Sequence, residues 1–261
     1  MLLSLIRISI RNVTRNSRRS FITAFAVLIG TLFIIFSRGV LNGFHANIVS
    51  GFTETQAGDL QMHRPDYLEA NEALPLDKSF EIDDSFRKMM AEVPEIQAYT
   101  GRVLFSGMIS AGEDTTLFIG VGVDPENEYN VCPRNKENIL AGGGPIVKDK
   151  PKGVVIGKAL ADSLHATVGS ELTLLVNTSK GGLNAMDVTV SGIADIQLPG
   201  IGNKLVHVPL ETAQQLLYMD KQVTEVIMNV RNLEDVTPVE NRLNSLLAGS
   251  YKSLNLVPNT W

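Results

Sequence analysis

The stretch RNVTRNSRRSFITAFAVLIGTLFIIF, Arg11 to Phe36, decides where the rest of the chain lives. Arginines crowd its start, and the sixteen residues from Phe21 to Phe36 then carry no charge. Sixteen helical residues span about 24 Å, short of a hydrocarbon layer of roughly 30 Å. The deficit closes if the helix runs on through Ser37-Arg38-Gly39-Val40-Leu41, with Arg38 reaching back to the headgroups. Only Thr23 and Thr31 interrupt the apolar run, and each hydroxyl can bond to a carbonyl one turn back. The run has no polar face at helical period, as a soluble core helix would, and no Ala-x-Ala cleavage site follows it. The reading is therefore a retained transmembrane anchor over 21–43. A cleaved export signal and a buried soluble helix are the competing readings.

Orientation follows from Arg7, Arg11, Arg15, Arg18 and Arg19, which the positive-inside rule keeps in the cytoplasm. Arg7, Arg11, Arg15 and Arg18 share one helical face, whereas Leu3, Ile6, Ile10 and Val13 lie towards another. Residues 1–20 thus read as an amphipathic helix at the cytoplasmic membrane face, or as a frayed basic tail. The other residues hold 18 basic against 28 acidic side chains, a net charge of −10, which argues against nucleic acid as partner. Cys132 is the one cysteine, so an internal disulfide framework is excluded.

Beyond the membrane, Phe44, Ile48 and Phe52 continue at helical spacing, which predicts a stalk over 44–57 ending near Gly58. AGDLQMH (57–63) alternates as a strand with Leu60 and Met62 on one side, and 64–79 reads as loop. Asp83 or Asp84 can cap a helix bearing Phe86, Met89, Met90 and Val93, which Pro94 ends. Segments 96–110 and 115–123 flank AGED as a hairpin. VVIG (154–157) reads as a buried strand before a short helix over 158–166. ELTLLV (171–176) and DVTVSGI (187–193) alternate around the connector NTSKGGLNAM (177–186). A strand over 205–210, a helix over 211–217 entered through Pro209, a strand over 224–230 and a helix over 239–247 complete an α+β body.

The motifs of this body that approach known chemistry each fall short of it. KGVVIGKA (152–159) places three residues between Gly153 and Gly157 where a phosphate loop needs four, and Ala159 stands where a magnesium-holding hydroxyl is needed. Ser110 lies one glycine short of a nucleophile elbow, and Gly142-Gly143-Gly144 reads as a flexible connector. His45, His63, His165 and His207 show no metal-ligand spacing, and Asp59 and Asp66 near His63 do not repair that. These residues predict no catalytic, cofactor or metal site. A binding or mechanical domain is expected.

Here the chain resembles a family. RISIRNVTRNSRRSFITAFAVLIG is similar to the N-terminal helix and first span of ABC transporter permeases of the MacB, LolC/LolE and FtsX type. The likeness continues in order through GDLQMHRPDYLE, FIGVGVDPE, GVVIGKALADSLHATVGSELTLLV, VTVSGIADI and VPLETAQQLL, and is nearest to the lipoprotein-releasing LolC/LolE branch through HRPDYLE. The resemblance implies an inner-membrane permease subunit whose periplasmic core domain (58–261) has a porter-like part, about 45–115 and 205–255, with a second α/β part inserted at 116–204. It also implies an ABC ATPase subunit that hydrolyses ATP, a second permease subunit, and a cycle in which ATP-driven movement reaches the periplasmic domain. Such permeases carry three further spans. The chain stops at Trp261, so either a longer permease or a naturally shortened product is expected. LolC-like members extend a loop near 177–186 towards a periplasmic lipoprotein carrier. Ser179, Lys180, Gly181, Gly182 and Leu183 form either a reduced version of that docking loop or an ordinary hairpin tip. The rival class is a single-span envelope sensor or scaffold, as in FtsX-like control of a periplasmic partner.

Overall fold

The computed structural model describes residues 15–67, 74–196 and 204–260, and the expected amphipathic helix over 1–20, with Arg7 and Arg11, lies largely outside them. The chain divides into two compact units, Met1–Gly51 and Phe52–Trp261. Helix α1 (Ser17–Phe52) runs without a break through the apolar stretch and on to Phe52. Its stretch Ser17–Leu41 is long and apolar enough to cross a membrane, with a mean hydropathy of 2.3 and no buried residues. Thr23 and Thr31 hydroxyls donate to the carbonyls of Arg19 and Val27, which removes both from competition for lipid-facing partners.

The second unit opens with a π-helical turn (Thr53–Ala57) that ends at Gly58, where the sequence placed the stop. Its strands are β1 (Leu60–His63), β2 (Phe80–Glu81), β3 (Ile96–Ala111), β4 (Asp114–Val123), β5 (Gly153–Gly157), β6 (Glu171–Asn177), β7 (Leu183–Ala194), β8 (Leu205–Pro209), β9 (Gln222–Val223), β10 (Glu225–Val230) and β11 (Val257–Asn259). The helices are α2 (Asp84–Ala91), α3 (Glu128–Val131), α4 (Arg134–Glu137), α5 (Lys158–Ser163), α6 (Leu210–Leu217) and α7 (Val236–Ala248). Asp83 caps α2 by accepting from the Phe86 N–H at 2.8 Å, and Gly112 turns the β3–β4 hairpin at φ +63°, both as the sequence reads.

Nine strands form one sheet in the order β11-β1-β10-β3-β4-β8-β5-β7-β6, and β6 returns to pair with β3. The six strands β3, β4, β8, β5, β7 and β6 therefore close on themselves as a barrel. Its interior holds Val103, Phe105, Ile109, Phe118, Val154, Leu174, Val190, Val206 and Val208, joined by Leu160 of α5 and Leu216 of α6. Glycines on β4 make this packing possible. A Cβ on Gly120 would lie 2.3 Å from the Phe105 ring, which crosses the strand at that point and meets Phe118 edge-on.

A second core lies where β11, β1, β10 and the first half of β3 are covered by α2 and α7. Leu60, Met62, Phe86, Met89, Val226, Met228, Val239 and Leu243 fill it. The long β3 thus serves both cores. Residues 205–255 divide between these two cores. β8 and α6 fill the barrel interior, and the chain leaves that core only after Met219. Alternation shows that a strand has an apolar face, but not which of two apolar cores receives it. Two departures from the sequence reading are local. The connector 177–186 shrinks to residues 178–182, because β6 and β7 pair up to Asn177 opposite Leu183. The short helices α3 and α4 occupy 128–137, where no helix was expected.

Candidate functional site

Strands β1, β10 and β3 direct Leu60, Met62, Val226 and Met228 to one face, so period-two alternation sends Gln61, His63, Glu225, Thr100 and Arg102 to the other. That second face is polar and yet buried, because α3, α4 and the π turn cover it; Gln61, His63, Thr100, Arg102 and Glu225 are each at most 6% exposed. At its centre is Arg102. Its Nε donates to Glu128 Oε2 at 3.0 Å and its Nη2 donates to Glu128 Oε1, a two-point grip. Nη2 also lies 3.2 Å from Cys132 Sγ, and Nη1 is 3.9 Å from Glu225 Oε1. The remaining reach of Nη1 goes to the carbonyl oxygen of Gln56, in the π turn.

Two neighbours repeat that contact. Asn135 Nδ2 donates to the Thr55 carbonyl at 2.8 Å and to Glu128 Oε1 at 3.0 Å. The Cys132 thiol approaches the Thr53 carbonyl at 3.6 Å. Carbonyls at a helix end carry partial negative charge, so a cation and amide donors are their fitting partners. The turn closes at Gly58, whose N–H donates to Thr53 O at 2.9 Å. Gly58 has φ +61° and ψ −169°, a region open essentially to glycine alone, and a Cβ there would sit 2.7 Å from the Met228 carbonyl. The next residue joins the sheet at once. Asp59 N donates to Met228 O, and its carboxylate accepts the Val230 N–H at 3.0 Å. A pair between Arg134 and Glu54 adds a half-exposed contact of small energetic weight.

Burial opposes the charge on Arg102, but Glu128 and Glu225 outweigh it and hold the guanidinium above its ordinary pKa. Burial pushes the Cys132 thiol up to about 12, against the pull of Arg102, so it is a neutral donor and an unreactive thiol. His207 on β8 is also buried, opposite Val121 and Val155, and burial pushes its pKa down to about 4. His63 faces Glu225, with Nε2 at 3.6 Å from Oε2, and stacks on Tyr67 at 4.8 Å between ring centroids. Arg102, Glu128 and Glu225 were not singled out in the sequence. The one available signal was Arg102 itself, a charge inside the apolar strand pattern of 96–110.

The residues that the sequence did single out lie elsewhere. Arg15, Arg18 and Arg19 are exposed. Ser179, Lys180, Gly181, Gly182 and Leu183 form a tight tip in which Thr178 N donates to Gly182 O at 2.7 Å and Gly181 takes φ +80°. The tip is bound to the end of α6. Ser179 N donates to the Leu217 carbonyl at 3.0 Å, Asn184 Nδ2 to that of Leu216 at 2.8 Å, and Lys180 Nζ lies 5.9 Å from the Tyr218 ring centroid. These bonds satisfy carbonyls that the helix leaves open. Leu183 projects, 71% exposed.

An apolar N-terminal helix followed by a barrel and a helix-covered sheet defines an α+β architecture, and its class is shown by sequence. The family model of the MacB-like periplasmic core domain matches residues 20–246, and the chain belongs to that family. Two solved domains share the fold. The periplasmic region of MacB from Actinobacillus actinomycetemcomitans superposes with a TM-score of 0.56 at 14% identity, covering 81% of this chain and 91% of that one. The extracellular domain of the noncanonic ABC-type transporter YknZ from Gram-positive bacteria gives 0.53 at 13% identity, covering 77% and 99%. No curated protein sequence matches the chain. These findings support the likeness to MacB- and FtsX-type permeases and do not distinguish the LolC/LolE branch.

The depressed His207 pKa predicts acid sensitivity. The unfolded chain takes up this proton near pH 6.5 and the folded chain only near 4, so stability from neutral His207 is present above 6.5 and is lost as pH falls through that window. Between about pH 7.5 and about pH 5 the loss is about 2 kcal/mol. Urea unfolding at both pH values should show it for the natural chain and show that much less for His207→Leu. Equal pH dependence in the two chains would contradict it.

Proposed function

We propose that this chain is the anchored periplasmic part of an ABC transporter permease subunit that delivers ATP-driven movement to cargo outside the inner membrane. The family supports the transporter class. The observation that carries the mechanism is the grip of Arg102, Asn135 and Cys132 on the carbonyls of Thr53, Thr55 and Gln56, in the turn that directly follows the apolar helix. A displacement arriving at that turn is handed to β3 and β10, and β3 carries it to both cores. In this reading an ABC ATPase subunit hydrolyses ATP, and a second permease subunit completes the assembly. Export or lipoprotein release from the inner membrane is the transport carried out, the release reading resting on the LolC/LolE-like HRPDYLE segment. A lipoprotein carrier would meet the tip at 179–183. The sensor or scaffold alternative has no observation specifically in its favour.

Arg102→Lys keeps the charge beside Glu128 but cannot reach Glu128 and the Gln56 carbonyl together. In the assembled transporter, ATP hydrolysis should continue while export falls by about tenfold or more. Unchanged export in a folded variant would sink the mechanical reading. Orientation is tested with a membrane-impermeant maleimide. Glu234→Cys should label from the periplasmic side and Arg15→Cys only once the inner membrane is opened. Buried Cys132 stays silent in both. The reverse pattern would invert the topology.

A further inference from the structure

The outer wall of the barrel is unevenly covered. Over β4, β8, β5 and β7, Val121, Val123, Val155, Ala194 and Leu205 are buried with Ile146 of the segment that follows β4. Over the first half of β4, the second half of β3, and β6 and β7, the outward side chains meet solvent. Strand register places these in rows. Leu117 stands opposite Met108, Met108 opposite Leu175, and Leu175 opposite Ala185. Four apolar residues thus cross four adjacent strands, about 14 Å from end to end. Leu117 is 60% exposed, Met108 43% and Leu175 36%. Single exposed apolar residues are ordinary, but a continuous row of directly paired ones marks an interaction surface.

The next row is Thr115, Ser110, Thr173 and Asp187, with Asp187 accepting the Thr173 hydroxyl at 2.7 Å. Glu171 follows on the same face, opposite Thr189, and Glu113 and Asp114 form the neighbouring hairpin tip. Among the described residues of these four strands, the one basic side chain is Arg102, which is buried. The row is therefore bordered by four carboxylates with no cation between them. Along the row β3 and β6 are paired on both sides, whereas β4 before Ile119 and β7 before Thr189 are paired on one side among the described residues, so the middle of the row is open to side-chain contact alone.

We propose that this bare wall docks a partner protein presenting an apolar segment flanked by lysine or arginine. Charge complementarity selects that occupant. A second copy placed face to face would bring its own four carboxylates against these, and anionic headgroups would be repelled in the same way. The surface is separate from the Arg102 anchor, so this inference and the transport reading fail independently.

The test places a photo-cross-linking amino acid at position 117 of the full natural protein in its own membrane. The cross-link expected is to a different protein, at a peptide with an apolar residue close to Lys or Arg. Its yield should fall roughly fivefold or more in Met108→Lys and in the Glu171→Lys/Asp187→Lys double variant. Glu234→Lys, the same kind of charge change on exposed surface elsewhere, should leave the yield unchanged. Melting temperatures equal to that of the natural chain show that the variants fold. Cross-links only to lipid, only to a second copy or to nothing would overturn the proposal. So would a partner captured equally well after charge reversal.

Discussion

Much of this structure depends on one guanidinium. Arg102 sits on the middle of a sixteen-residue strand, is 1% exposed, and is held charged by Glu128 and Glu225. A buried ion pair is weak support for stability in itself, because desolvation offsets most of the attraction. Removing one partner is another matter, since the other charge then stays buried without compensation, at about 3–5 kcal/mol. The pair therefore locks an arrangement more than it strengthens one. What it locks is the path of the chain, since the same guanidinium that grips Glu128 also takes the Gln56 carbonyl.

The surroundings follow from that constraint. Gly58 adopts a conformation that other residues avoid, so that Asp59 can enter the sheet directly after the π turn. The short helices α3 and α4 bring Glu128, Cys132 and Asn135 to the polar face. β3 then continues past Arg102 into the barrel, where Phe105 lies over Gly120. One strand thus joins the foot of the turn, the helix-covered sheet and the barrel wall. A rigid strand of that length is a reasonable mechanical element, and a loop would not be.

The sequence was most informative where structure is local. The apolar run of α1, the stop at Gly58, the cap at Asp83 and the turn at Gly112 are each set by neighbours in the chain, and each could be read there. Strand alternation showed Leu60 and Met62 on one side. It could not show that Gln61 and His63 were buried too, because the polar face they share with Arg102 is covered in part by α3 and α4, far along the chain. Glu128, in the acidic stretch DPENEYN, looks like a solvated loop residue until Arg102 is placed beside it. Closure of the barrel by Met108 against Leu175 is likewise a long-range pairing that leaves no local mark.

The most direct measurement is native-state hydrogen exchange at the amides of Gly58 and Asp59, compared with those of β3 and β10. If the turn is gripped by the buried network, these two amides open only with the strands themselves and share their protection. If they exchange at the rate of an exposed loop while β3 and β10 stay protected, the turn is loosely held. Movement in the helix could not then pass through Arg102 to the domain, and the central claim would be wrong.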